Sequence, residues 1–144
     1  MKSSIEIEKQ LDRVLPFVQK PGRYVGGEYN RVRKDWDSVK SHVALVFPAI
    51  YDIGLPNLGI MIRYEQLSNR TDTLCERAYL PWLDMENAMR ENEIPFYSLE
   101  SKTPLAKFDL IGFTLPYETL YTNVLNALDL AGIPLHTSDR NKEH

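Results

Sequence analysis

Two short stretches combine residue types that bind ligands. The first, Tyr51-Asp-Ile-Gly-Leu-Pro-Asn-Leu-Gly59, brings Asp52, Gly54, Asn57 and Gly59 together just ahead of a helical pattern. A helix start with an acid beside it can receive an amide or, through its free N–H groups, an anion. The second, Thr114-Leu-Pro-Tyr-Glu118, places Thr114, Tyr117 and Glu118 directly after an apolar run, so hydroxyls and a carboxylate face the same end of any strand formed there. Both stretches also read as ordinary βα loops, in which Gly and Pro punctuate the chain and Asn57 caps a helix. A third group, Arg23, Arg31, Arg33 and Lys34, interleaves with Tyr24, Tyr29 and Trp36, a mixture suited to phosphate pairing and base stacking. The segment 20–40 holds six basic and three acidic residues, a net +3 in a chain of net −3, so −6 lies elsewhere. With a pI near 5.6, packing of the arm onto the body is the expected role, and a nucleic-acid contact is the alternative.

Other chemistries lack their residues. Cys75 is the one cysteine, which excludes an internal disulfide and a cysteine-ligated zinc site or iron–sulfur cluster held by this chain alone. It reads as a small packing residue ahead of a strand. His42, His136 and His144 are far apart, so no metal site is expected. There is no G-x-G-x-x-G after a strand, no Walker A sequence, no G-x-S-x-G elbow and no H-E-x-x-H pair. Thr114 stands where a phosphoacceptor domain needs aspartate.

The elements that must position these residues follow from periodicity. Ile5, Ile7, Leu11, Val14, Leu15 and Val18 mark an amphipathic helix ending near Pro16 to Pro21. Short apolar runs then alternate with helical patterns, the signature of βα units. Strands are expected at 42–47, 77–80, 109–115 and, after Gly132, at 133–136, with 96–99 an edge strand or extended connection. Helices are expected from Asn57, from Asp84 as N-cap, and from Leu120 to Ala131. The fold class is α/β, an incomplete flavodoxin- or Rossmann-like three-layer sandwich. Its mostly parallel sheet has four to five short strands, behind an N-terminal helix and basic arm (1–40); the α/β domain spans 41–138 and a charged tail 139–144. In such sheets ligands sit beyond the carboxyl ends of the strands, where both loops fall.

The composition, 43% hydrophobic and 26% charged over 144 residues, fits one globular domain rather than a disordered chain. No apolar run reaches the roughly 20 residues of a membrane span, and no signal-peptide core opens the chain; a cytoplasmic location is expected.

Taken together, the blocks Lys20-Pro-Gly-Arg-Tyr-Val-Gly-Gly-Glu-Tyr-Asn30, Val43-Ala-Leu-Val-Phe-Pro48, Tyr51 to Gly59, Ala78-Tyr-Leu-Pro-Trp-Leu-Asp-Met-Glu86, Phe108-Asp-Leu-Ile-Gly-Phe113 and Leu128-Asp-Leu-Ala-Gly-Ile-Pro-Leu135 carry a family resemblance. The chain resembles the cobalamin (B12)-binding-like N-terminal region of bacterial radical S-adenosylmethionine (SAM) proteins. The resemblance implies a parent protein with a radical SAM barrel, a 4Fe-4S cluster and SAM, none of which this chain carries, and so a fragment without catalysis of its own. Where cobalamin domains of the best-known type have D-x-H-x-x-G, this chain reads Asp52-Ile-Gly-Leu-Pro-Asn57, with Gly54 in place of the axial histidine. The resemblance therefore implies either cobalamin held without histidine ligation, by Asp52, Gly54, Asn57, Gly59, Thr114, Tyr117 and Glu118, or a scaffold that has lost the cofactor. Gly54→Trp is expected to block that site and leave the fold intact. The alternative is an interaction module, in which the arm (Arg23, Arg31, Arg33, Lys34, Trp36) and the open sheet edge take a second copy, the radical SAM domain or RNA. No membrane partner is expected.

Overall fold

A computed structural model describes residues 2–140, so His144 and most of the expected tail lie outside the described residues. Helix α1 (Ser4–Val14) starts at a reciprocal capping box, Ser3 with Glu6, and buries Ile7, Leu11 and Val14. A 3-10 turn at Leu15–Phe17 absorbs Pro16. The single-turn helix α2 (Gly22–Val25) follows, and residues 26–33 form no regular element.

The sheet has three parallel strands in the order β2-β1-β3: β1 Ser41–Phe47, β2 Thr73–Tyr79 and β3 Leu110–Phe113. Alternation along β1 sends Ala44 and Val46 to one face and Val43, Leu45 and Phe47 to the other, so each face nucleates its own apolar cluster. Helices α3 (Tyr51–Gly54) and α4 (Leu58–Ser68) cover the second face, where Ile60 and Tyr64 are buried. Helices α1, α5 (Leu83–Glu91) and α6 (Tyr121–Leu130) cover the first. This is the three-layer arrangement of an incomplete Rossmann-like domain, with helices on both faces of a parallel sheet.

Three expectations are corrected. The sheet has three strands rather than four or five, because Ile133–His136 is not a strand. Gly132, at φ +70°, ends α6 in a Schellman turn, its N–H bonded to Asp129 O and that of Ile133 to Leu128 O. Pro134 has no N–H to give a ladder, and Arg140 Nε bonds its carbonyl at 2.9 Å. Strand β2 begins at Thr73, four residues before the expected start, and carries Cys75, Glu76 and Arg77 fully inside. Asp84 lies in the first turn of α5, after Trp82 as N-cap, where it accepts the Gln19 N–H at 2.5 Å and ties α1's trailing segment to α5.

The connection 96–104 lies along the outer edge of β2. Leu99 N–H bonds Arg77 O at 2.7 Å, and a bridge between Tyr97 and Pro104 folds it back on itself. One sheet edge is thereby covered. The other is β3, where Leu110 is 60% exposed.

Candidate functional site

The loops after β1 and β3 meet at the carboxyl end of the sheet, and Asn123 at the start of α6 joins them by donating to Pro48 O at 2.8 Å. Asn57 caps α4, its Oδ1 accepting the Ile60 N–H at 3.2 Å, and a Cβ on Gly59 would lie 3.1 Å from that oxygen. The first loop is thus built as the sequence indicates, but its acid is occupied. Arg23 Nε lies 2.5 Å from Asp52 Oδ2, an ion pair with the N–H off the hydrogen-bond axis, and Lys20 Nζ lies 3.3 Å from Oδ1. The Arg23 guanidinium holds the Asp52 carboxyl below its ordinary value.

Gly54 is buried and faces inward. A Cβ there would lie 2.4 Å from Cδ1 of Tyr79 and 3.0 Å from Cβ of Phe47. The glycine for which the resemblance implies an axial-ligand position therefore packs on the core, and Gly54→Trp would disrupt the fold rather than spare it. In the second loop Thr114 is half-buried and its N–H bonds Val46 O at 3.0 Å, while Tyr117 and Glu118 stand in solvent at the 3-10 turn Glu118–Leu120.

Around this end, beside the exposed Asp52, Glu118 and Thr119, stand exposed apolar or aromatic side chains: Ile53 and Leu58 from the first loop, Leu115, Tyr117 and Tyr121 from the second. Beside them, between α4 and the face of β1 and β3, runs a cleft of about 800 Å³. Val43, Leu45 and Gly112 form its floor, Arg63 and Arg70 its α4 rim, and Thr114 to Pro116 its upper end. Arg70 is engaged by Asp72 at 2.9 Å, so Arg63 is the cation the rim presents.

The basic arm divides. Arg23 is tied to Asp52. Lys34 Nζ donates to the carbonyls of Arg70 and Thr73. Trp36 stacks on His42 with ring centres 3.9 Å apart and meets Phe108 edge-on at 5.3 Å. Arg31 and Arg33 remain in solvent. His42 is fully used, one ring nitrogen against Asp109 Oδ2 and the other against Trp36 O, each at 2.9 Å. Among the described residues no three His, Cys, Asp or Glu side chains gather as metal ligands. Cys75 is buried, and burial pushes its thiol up to about 12, so no reactive thiolate forms there. A single buried cysteine does not fit an iron–sulfur cluster.

Sequence reasoning passed over a second polar group, on the α4 face. Arg77, wholly buried, gives its Nε and backbone N–H to Glu100, each at 2.7 Å, and lies 4.1 Å above the Tyr64 ring. Burial pushes the Glu100 carboxyl up, and Arg77 pulls against that. The signal was present: Cys75, Arg77 and Tyr79 alternate onto one strand face, and a charge inside such a run must have a buried partner.

No helix among the described residues is long and apolar enough to cross a membrane. No curated protein and no solved structure matches the chain. The profile of the family described as "Radical SAM proteins, N-terminal" matches residues 59–144, from the first turn of α4 onward. That match takes in more than half of the sequence, β2, β3 and the α4 and β3 walls of the cleft included, while the cleft floor on β1 precedes it, and the chain belongs to the family of radical SAM protein N-terminal domains.

Proposed function

We propose that this domain is a non-catalytic positioning module of a radical SAM protein, and that it holds a corrin against the carboxyl end of β1 and β3 without a protein ligand to cobalt. The cleft between α4 and the sheet carries this reading. Its volume, about 800 Å³, falls in the range of small-molecule sites and is room enough for a nucleotide-sized group such as the tail of cobalamin. Its floor of Val43, Leu45 and Gly112 suits an apolar heterocycle, and Arg63 suits a phosphate. The apolar rim of Ile53, Leu58, Leu115 and Tyr117 lies where the ring would rest. With Gly54 turned to Tyr79, no side chain at that position reaches the metal.

A visible-spectrum titration of the chain with hydroxocobalamin and methylcobalamin, read beside gel filtration, tests this. Corrin should comigrate with protein at saturation without the spectrum of histidine ligation, and Arg63→Glu should weaken the binding about tenfold or more, the worth of one charge-assisted contact. Corrin eluting free of protein at every ratio overturns the reading.

A second reading has its own observation. Among the described residues the β3 edge is unpaired, and grooves flank it on both faces, the cleft above and one with Phe108, Ile111, Val124 and Leu128 beside Lys107, Asp109 and Arg140. These surfaces fit a further α/β element, from the radical SAM remainder or from a second copy. The arm contributes less to docking than its composition indicates, since Arg23, Lys34 and Trp36 are spent internally; RNA contact is left to Arg31 and Arg33.

A further inference from the structure

Beneath residues 28–30 several buried polar atoms lack partners. Arg77 uses Nε and its backbone N–H on Glu100 and reaches Asn30 Oδ1 from Nη1 at 3.4 Å, leaving Nη2 buried with no acceptor. Glu28 accepts the Tyr51 hydroxyl on Oε1 at 3.0 Å, leaving Oε2 buried with no donor. The Tyr79 hydroxyl is also buried without a partner; its ring stands edge-on to Tyr51, with centroids 5.5 Å apart. Buried polar groups are paired in folded proteins, so an orphaned donor, an orphaned acceptor and an orphaned hydroxyl in one cluster need an explanation.

Arg77, Glu28 and Asn30 line a cleft of about 440 Å³ whose remaining walls are Tyr29, Leu55, Pro56 and Met61. That volume is in the range of small-molecule sites, roughly 300–1,000 Å³, and well above the ~30 Å³ share of one water. Apolar walls call for an organic body rather than a water chain. The Arg77 charge is neutralised by Glu100, which spends both oxygens on it, whereas the Glu28 charge has no cation on Oε2. A matching ligand therefore brings a positive N–H group for Glu28, an acceptor oxygen for Arg77 and a short apolar body. Gly26 and Gly27, at φ +69° and +102°, form the turn that brings residues 28–30 over the cleft, a backbone shape that needs glycine.

From these contacts we infer that the cleft between residues 28–30 and α4 binds a small apolar amino acid or its amide, with the amine on Glu28 and the carbonyl or carboxylate oxygen on Arg77. The cleft adjoins the corrin face through Leu55 and Pro56 of the Tyr51–Gly59 loop but shares no lining residue with the cleft between α4 and β3, and the inference does not rest on corrin binding.

The test is an amide NMR titration of the ¹⁵N-labelled chain with L-leucine, L-leucinamide, glycine and 4-methylpentanoate, the last keeping the leucine skeleton without its amine. L-Leucine should shift the Asn30 and Met61 resonances saturably. Glycine, lacking the body, should leave them in place, and 4-methylpentanoate should bind about tenfold more weakly or worse, the worth of a hydrogen bond to a charged group. Glu28→Gln keeps an acceptor for Tyr51 and should weaken L-leucine by a similar factor while leaving 4-methylpentanoate unchanged. The rest of its spectrum reports whether the fold is intact. L-Leucine and its amide leaving Asn30 and Met61 unmoved, or equal L-leucine binding by Glu28→Gln, overturns the proposal.

Discussion

Gly54 shows how one residue can be read rightly for composition and wrongly for direction. It lies in a ligand-like loop, yet its α-carbon faces the Tyr79 ring, and the added methyl of Gly54→Ala would meet that ring at 2.4 Å. Overpacking of this kind costs about 1–3 kcal/mol, so Gly54→Ala should lower the urea midpoint with an unchanged slope; an unaltered midpoint would show that the loop gives way. Asn57, by contrast, was legible, because a helix cap depends only on the residues that follow it. Lys102 was not legible. It is buried, donates to the carbonyls of Val25 and Leu99, and is lowered by burial to about 8 from 10.5. Because the folded value is the lower one, the unfolded chain holds more protons between those pH values, and stability rises with pH across that window. Below about 8 the folded chain must accommodate the charge. The wild type should gain on Lys102→Met by at most about 1.4 kcal/mol per pH unit from pH 8 upward. The buried Cys75 and tyrosines, pushed up and so acting in the opposite sense, are common to both proteins and cancel. Unfolding measured on either side of that window checks the slope, and a flat difference removes Lys102 as its source.

At the level of elements, β1, α4 and α6 were readable because each is apolar in a regular period. Strand β2, expected from Arg77, was cut short because Glu76 interrupts the apolar run before it. Their partners come from Ser101 and Glu100 in the 96–104 connection, distant in sequence, so the strand's alternation can put a charge inside but does not say what pairs with it. The same pairing attaches that connection to β2. Breaking it by Glu100→Gln leaves Arg77 buried against a neutral acceptor and should destabilise the domain by about 3–5 kcal/mol. Arg77→Met combined with Glu100→Leu should recover part of that loss, since the charges vanish together while the Arg77 backbone N–H still loses its acceptor. Chemical unfolding of the single and double variants decides. A double variant as unstable as the sum of its parts would mean that the pair holds the connection by more than charge compensation. The fourth strand failed for the converse reason. Ile133-Pro134-Leu135-His136 has β-like composition, but no neighbouring strand presents carbonyls to it, and Arg140 takes its own.

For the molecule as a whole, the sheet is covered on one edge and open on the other. The 96–104 connection closes β2, whereas β3 has four residues, an exposed Leu110 and a groove on each face. Parallel sheets are ordinarily enclosed on both faces, and an unpaired apolar edge is a template for another chain. The α/β class and the open edge were legible in the alternation of strands and helices; which face stays bare was not, because it depends on how far α4 and α6 reach across β3. The chain should therefore self-associate with concentration through β3, and its thermal midpoint should rise as it does so, by mass action. Leu110→Lys places a charge on the open edge at a site already in solvent, so it should abolish association and leave the monomer's stability within about 0.5 kcal/mol. Sedimentation equilibrium with thermal unfolding at several concentrations separates the outcomes. Association that survives Leu110→Lys would move the contact to the apolar rim of Ile53, Leu58 and Tyr117, where corrin would then compete with it.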